Sequence, residues 1–166
     1  MRRVVILGPG ASGKSTLARR LRDITGIGVI ELDKEFWSPA LAAMPAAQWT
    51  AVQVELAARP AWIMDGDLGP YDIVAPRLRR ADTVVLLDVA RWRCTWRAVR
   101  RSRERADFWK WVWSWRRVYR PALLRSIERE APTARLRIIR TAVDAQRFLH
   151  DAGKGANYGD QNRSGQ

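Results

Sequence analysis

The stretch RVVILGPGASGKSTLARRL, residues 3–21, sets three kinds of sequence end to end: an apolar run, a glycine-rich turn and a helical pattern. Gly8, Gly13, Lys14 and Ser15 hold the fixed positions of G-x-x-x-x-G-K-S. The motif also stands where its mechanism needs it, after a strand and at the start of a helix. The glycines let the backbone curl so that successive N–H groups point inward, and the helix that follows adds the positive end of its dipole. A polyphosphate is the ligand for such a cradle. Gly8, Pro9, Gly10, Ala11, Ser12, Gly13, Lys14, Ser15 and Thr16 are therefore expected to line bound ATP. Lys14 is expected to reach the β and γ phosphates, and the Ser15 hydroxyl to take one position on Mg²⁺.

Outward from this motif, apolar runs at 3–7, 29–32, 61–64, 83–88 and 136–140 have strand length. Their near-continuous apolar character fits strands covered on both faces. Helical patterns at 14–24, 46–58, 91–105, 108–130 and 143–151 lie between and after them, an order that implies an α/β architecture with a largely parallel sheet. Thr141 followed three residues later by Asp144 is a capping-box signature for the last helix. From Ala152 the sequence AGKGANYGDQNRSGQ is nearly devoid of apolar residues, so 152–166 is expected to be a disordered tail. The remaining 1–151 is expected to form a single domain, because 166 residues with 47% hydrophobic content suit one core.

The chain holds one cysteine, Cys94, which cannot form an internal disulfide. Only four consecutive apolar residues precede Gly8, too few for a signal-peptide core or a membrane span. A cytoplasmic protein with no membrane partner is the expectation. The formal net charge is +13, carried by twenty-six arginines and four lysines against seventeen acids. Residues 91–125 concentrate it: eleven arginines and Lys110 face Glu104 and Asp107, ten of the thirteen net charges. So local a field implies an acidic partner, whether nucleic acid, membrane surface or phosphorylated small molecule, or else a solvated arginine-rich face.

Within that region DFWKWVWSWRRVYRP, residues 107–121, interleaves tryptophans 109, 111, 113 and 115 with small or charged residues. Rings and cations in alternation would suit a single-stranded nucleic acid, whose bases stack and whose phosphates pair with arginine. Read as a helix capped by Asp107, the segment instead puts Trp109 and Trp113 on one side and Trp111 and Trp115 on the other. That distribution fits an element packed between the sheet and a cleft or lid, with Arg116 and Arg117 near phosphates. Plain core packing accounts for the rings equally well.

Three acids end apolar runs: Asp33 after VIEL, Asp65 after AWIM and Asp88 after TVVLL. All should sit at the carboxyl edge of the sheet, where open α/β folds bind ligands. Asp65 and Asp88 are the candidates for Mg²⁺, beside the ordinary role of strand-ending acids in turns and caps.

GPGASGKSTLARRL, ELD and FW at 31–37, AWIMDGD, RLRRADTVVLLDVARWRCTWRAVRR and FWKWVW together resemble the bacterial P-loop kinases known as topology modulation proteins, a group similar to adenylate kinases. The likeness spans about residues 3–150. It implies a three-layer P-loop NTPase fold of the nucleoside-monophosphate-kinase type with a five-stranded parallel sheet. It also implies that Asp65, at the place of the adenylate-kinase LLDG aspartate, orients Mg²⁺ through water. Arg97 would stack on adenine and Arg101, one turn later, would meet phosphate. Helical spacing agrees independently, since Arg93, Arg97, Arg100 and Arg101 share one stripe and Trp92, Trp96 and Val99 another.

The departures bear on the substrate. Between Asp33 and Arg59 there is no arginine for an acceptor phosphate, and only about four residues near 103–106 separate the two helical patterns where adenylate kinases carry a long lid. A hydroxyl acceptor gives Asp33 a role, because its proton must be removed or held as the new bond forms. The expected activity is ATP-dependent phosphotransfer to a small molecule, nucleoside or nucleotide, with Lys14, Asp33, Arg97 and Arg101 as catalytic residues. A nucleotide-dependent nucleic-acid-binding protein and a P-loop ATPase regulator stand beside it. Any nucleic-acid contact is expected to be non-specific, as no helix-turn-helix, zinc-finger or RRM signature is present. His150, the lone histidine, reads as a surface or packing residue.

Overall fold

The computed structural model describes residues 1–37, 43–89 and 114–161. Five strands, β1 (Arg3–Leu7), β2 (Val29–Glu31), β3 (Trp62–Asp65), β4 (Thr83–Leu87) and β5 (Arg135–Ile139), form one parallel sheet in the order β2-β3-β1-β4-β5. β1 lies at the centre. The glycine-rich turn therefore leaves the sheet between the ends of β3 and β4, and the order reverses at that point, which is where such sheets open a crevice.

Residue alternation along β1 builds two cores. Val4 and Ile6 pack with Ile63, Val85, Leu87 and Ile139 against Leu17, Ala18 and Leu21 of α1 (Lys14–Thr25) and Phe148, Leu149 and Ala152 of the last helix. Val5 and Leu7 turn to the other face and pack with Met64, Val84 and Leu86 against α2 (Leu32–Phe36), α3 (Ala46–Ala58), α4 (Ala75–Leu78) and α5 (Tyr119–Glu130). Val4 to Leu7 have no solvent-exposed area, and burial of side chains of this size stabilises by about 1.5–3 kcal/mol each. The expected three-layer, five-stranded parallel architecture is thus the observed one.

Local boundaries differ in five places. The run VIEL yields only three strand residues: Leu32 opens α2 and its side chain is fully buried under the turn after β3. α4 was not expected, and neither was a 3₁₀ turn at Gly69–Tyr71. The pattern at 108–130 is not one continuous helix. Residues 115–118 form turns, Arg120 N–H reaches back to Trp115 O at 2.8 Å, and α5 starts at Tyr119 with Pro121 in its first turn, where a missing N–H costs nothing. The last helix, α6 (Ala142–Gln161), runs past the expected end at 151, so the tail expected to be disordered from Ala152 is helical as far as Gln161. Ala152 is buried against the α1 layer, which gives that extension an apolar anchor.

The amino end of α6 matches the capping box. Thr141 Oγ1 accepts from Asp144 N–H at 3.1 Å while Asp144 Oδ2 accepts from the N–H groups of Thr141 and Arg140 at 2.9 and 3.0 Å. These bonds hold the Asp144 carboxyl below the usual carboxylate range. Among the described residues no helix is long and apolar enough to cross a membrane.

Candidate active site

The turn after β1 can pass over the sheet only because position 8 is glycine. Gly8 has φ +145, and a Cβ there would lie 2.7 Å from the carbonyl oxygen of Leu87 on neighbouring β4. Ala11 adopts a left-handed φ of 57, a conformation that a non-glycine residue holds at a cost of about 1–2 kcal/mol. Strain of this kind concentrates where a loop is shaped for a ligand. Lys14, the first residue of α1, lays its ammonium across the loop and donates to the carbonyls of Gly8 and Pro9 at 2.9 and 3.0 Å. The loop over residues 8–16 thus curls with the Lys14 side chain across it and the amino end of α1 behind it.

β3 brings Asp65 to the same edge. Its side chain is 4% exposed, and it accepts a hydrogen bond from the Ser15 hydroxyl. Burial pushes the Asp65 carboxyl up, against the opposing pull of that hydrogen bond and of the Lys14 ammonium. Oδ1 of Asp65 is buried and has no hydrogen-bond partner among the described residues. A carboxylate oxygen left without a donor beside a serine hydroxyl and a phosphate cradle fits Mg²⁺. That ion is commonly held by one or two protein oxygens, with water and phosphate completing its shell. Among the described residues no three His, Cys, Asp or Glu side chains cluster to hold a metal ion, so this is not an all-protein cage.

The next residue fixes what lies opposite. Gly66 has φ +154, and a Cβ on it would stand 2.8 Å from Leu32 Cβ, so the turn after β3 is pressed onto the start of α2. That contact brings the third strand-ending acid, Asp33, into the electrostatic neighbourhood of Lys14, Asp65, Asp67 and Asp72. Asp33 opens to solvent, yet chain atoms crowd it on the other sides. This desolvation raises its carboxyl, the Lys14 ammonium lowers it, and the three acids raise it further; the net shift is upward. Among the described residues no donor bonds to the Asp33 carboxylate. Asp67, two residues past Asp65, is raised by burial and by Asp72, opposed by Lys14, the Gly69 N–H and Arg77.

A buried polar knot with no local sequence signature supports this edge. Arg77 is fully buried and grips both oxygens of Asp72, at 2.8 and 2.6 Å, while also donating to Gln53 Oε1. Gln53 in turn donates to the Ile73 carbonyl at 2.8 Å, and Asp72 Oδ2 accepts the Leu68 N–H at 3.2 Å. The segment from Gly66 to Ile73 is therefore tied down from α3 and α4. The spacing of Asp72 and Arg77 matches no helical pair, and the partner Gln53 lies far away in sequence.

Asp88, at the end of β4, has a different fate from Asp65. Arg116 Nε and Arg120 Nε each lie 3.1 Å from one of its oxygens, Arg140 Nε lies 3.8 Å from Oδ2, and Arg116 Nη2 donates to the Asp88 carbonyl at 3.3 Å. Surrounded by guanidinium groups, this carboxylate is not a free ligand for Mg²⁺, and Asp65 is the better candidate. Arg116 lies against Asp88 at the end of β4, and both Arg116 and Arg117 are exposed. Trp115 is 1% exposed and its indole N–H points to Asp67 Oδ2 at 3.4 Å, so this tryptophan packs in the core under the cleft. Arg97 and Arg101 lie outside the described residues, as do the stripe containing them, the residues near 103–106, and Trp109, Trp111 and Trp113.

The chain is similar to several solved kinases. A shikimate kinase from Acinetobacter baumannii, solved in complex with shikimate, matches with a TM-score of 0.65 and 19% identity over 91% of this chain and 90% of that one. A gluconokinase from Sinorhizobium meliloti matches at 0.55 and 15% over 98% and 95%, and a sugar kinase from Janibacter at 0.54 and 19% over 94% and 92%. At such identities the likeness establishes the fold: a P-loop kinase fold with a five-stranded parallel sheet. No protein-family model matches the chain, and no curated protein sequence matches it.

Proposed function

We propose that this protein is an ATP-dependent phosphotransferase that acts on a hydroxyl group of a small molecule. The observation that carries the reading is the arrangement of Asp33: a carboxylate with no donor among the described residues, within electrostatic reach of the P-loop lysine and of the Asp65–Ser15 pair. The loop amides of residues 8–16 and Lys14 bind the polyphosphate and neutralise charge that grows on the transferring group. Ser15 and Asp65 are the residues that would hold Mg²⁺. Bound there, the ion would supply positive charge to offset that of the phosphates. Asp33 accepts the proton of the acceptor hydroxyl as that oxygen bonds to the γ-phosphorus and the bond to the bridging oxygen of ADP breaks. Its raised carboxyl makes it a more willing proton acceptor than an aspartate at its ordinary value.

The roles of Arg97 in stacking on adenine and of Arg101 in meeting phosphate rest on the likeness to topology modulation proteins and adenylate kinases. An adenylate-kinase specificity is not part of the proposal, since the acceptor-phosphate arginine of those enzymes has no counterpart between Asp33 and Arg59. A nucleic-acid groove is the weaker reading: of the basic segment, Arg116 and Arg120 turn onto Asp88. The test is to follow the γ-phosphate of labelled ATP with the whole chain, Mg²⁺ and a panel of hydroxyl metabolites. A phosphorylated acceptor is expected; phosphate released to water with every acceptor would make the protein an ATPase.

A further inference from the structure

Two aromatic rings lie on the segments that carry Asp33 and Asp72 and have no part in the chemistry described so far. Trp37 closes α2, four residues after Asp33, and its N–H bonds the Asp33 carbonyl at 3.2 Å. Tyr71 ends the 3₁₀ turn after β3, next to Asp72. Their ring centroids are 5.7 Å apart at 77°, edge to face. Behind them Phe36 lies 4.8 Å from Trp37 and 6.2 Å from Tyr71, and Trp49 lies 5.2 Å from Phe36. The stack runs from core to solvent: Trp49 and Phe36 are buried, Trp37 is half-buried and Tyr71 is 48% exposed. Its outer rings are thereby backed by rigid packing and offer a ring-sized apolar surface, with Trp37 one helical turn after Asp33.

The cations contributed by the same two segments are already engaged. Arg77 is fully buried and bound to Asp72 and Gln53, and Lys34 pairs with Glu31 at 3.0 Å. Among the described residues of these segments, no guanidinium is left for an acceptor carboxylate beside Asp33. An anionic acceptor would meet the Asp33 carboxylate without a counter-charge from these segments, and like charges at close range are costly.

On the premise of the phosphotransfer reading, we infer that the acceptor is a ring-bearing alcohol without an acidic group, a neutral or amino sugar or cyclitol. Its apolar C–H face lies on Trp37 and Tyr71 while one hydroxyl meets Asp33. Aromatic rings supply apolar contact area with a defined geometry, and an amine over such a face gains a further cation–π attraction. The geometry fits the usual division of labour in small-molecule sites, an apolar wall for affinity and a few polar groups for orientation.

Titration calorimetry on the whole chain tests this directly, independently of turnover. The probes are matched trios of hexopyranosides and cyclitols in neutral, amino and carboxylate form, for example methyl glucoside, its 2-amino counterpart and its uronic acid. Neutral and amino members are expected to bind, with the carboxylate members at least about tenfold weaker. Tyr71→Ala should weaken the neutral and amino members by about tenfold, and Tyr71→Phe, which keeps the ring, should restore most of that loss. Thermal melts of both variants check that the fold is kept. Tighter binding of a carboxylate member, indifference to Tyr71→Ala in a folded variant, or no binding across the panel would each overturn the inference. Phosphoryl transfer to a carboxylate acceptor would overturn it and leave the phosphotransferase standing. Binding of neutral rings without any transfer from Mg-ATP would do the reverse.

Discussion

The two edges of the sheet treat the same residue in opposite ways. At the amino edge Asp82, just before β4, accepts the N–H groups of Arg2 and Arg3 at 2.7 and 2.8 Å and the Thr83 hydroxyl at 2.8 Å. Burial alone would raise its carboxyl, but these bonds and the amino-terminal charge outweigh it and the net shift is downward. At the carboxyl edge Asp33, Asp65 and Asp67 are all shifted upward, with burial the first cause and neighbouring acids adding to it. The first carboxylate is satisfied by the fold. Of the others, Asp67 is held by the Gly69 N–H and the Trp115 indole, whereas the Asp33 carboxylate and Oδ1 of Asp65 have no donor among the described residues and are left for something that is not protein. Acids with shifted values in a cleft mark functional sites with just this physical rationale.

Asp72 is the control within the carboxyl edge, since it is buried and acidic yet fully matched by Arg77. Arg77→Ala would leave it buried and unpaired, and breaking such a pair by removing one partner costs about 3–5 kcal/mol. Denaturant unfolding should show the loss, and a variant as stable as wild type would mean that the knot does not hold the segment. The next largest effect falls on Asp33. Asp33→Asn should cut phosphotransfer by about 10²-fold or more while raising the thermal midpoint at neutral pH, because it removes a charge that the fold raises. Loss of activity together with loss of stability would assign Asp33 to the fold instead. Lys14→Ala, which strips the loop of its ammonium, should weaken Mg-ATP binding by at least about tenfold, or 1.4 kcal/mol. Unchanged affinity in a calorimetric titration would remove the polyphosphate cradle from the proposal.

The same contrast explains what could be read in the sequence. Strand-length apolar runs, the phosphate-loop signature and the acids that end each run are local patterns, and they led to the sheet, the cradle and the trio Asp33, Asp65 and Asp88. What separates Asp65 from Asp88 is not local. Asp88 is neutralised by Arg116, Arg120 and Arg140, which come from segments at least 28 residues away. Gly66 pressing on Leu32, and Tyr71 meeting Trp37, likewise depend on which strands become neighbours. The helix pattern at 108–130 was misleading for a related reason: residues 115–118 take turns that bury Trp115 under Asp67, a tertiary contact that helical periodicity does not anticipate. α6 reaches Gln161 through a stretch whose composition is poor in apolar residues, since a helix can be extended from one anchored face.

The smallest effect gives the cleanest reading of the two edges, because it asks only for a difference in sign. A carboxyl lowered in the folded state contributes stability above its unfolded value, near 3.8 for aspartate, and that contribution is lost as pH falls through the lower folded value. A raised carboxyl works the other way: the fold is more stable when it is protonated, and that advantage disappears as pH rises through the raised value. Asp82→Asn should therefore be somewhat less stable than wild type at neutral pH, with the gap closing below pH 3.8. The gap should stay below about 1 kcal/mol because the group is partly open to water. Asp33→Asn should show the opposite gap, more stable than wild type at neutral pH and equal to it in acid. Thermal melts of the three proteins from pH 7 down to pH 3 measure both gaps. If they run in the same direction, the two edges are not electrostatic opposites, and the open carboxylate at Asp33 loses its claim to be held for an acceptor.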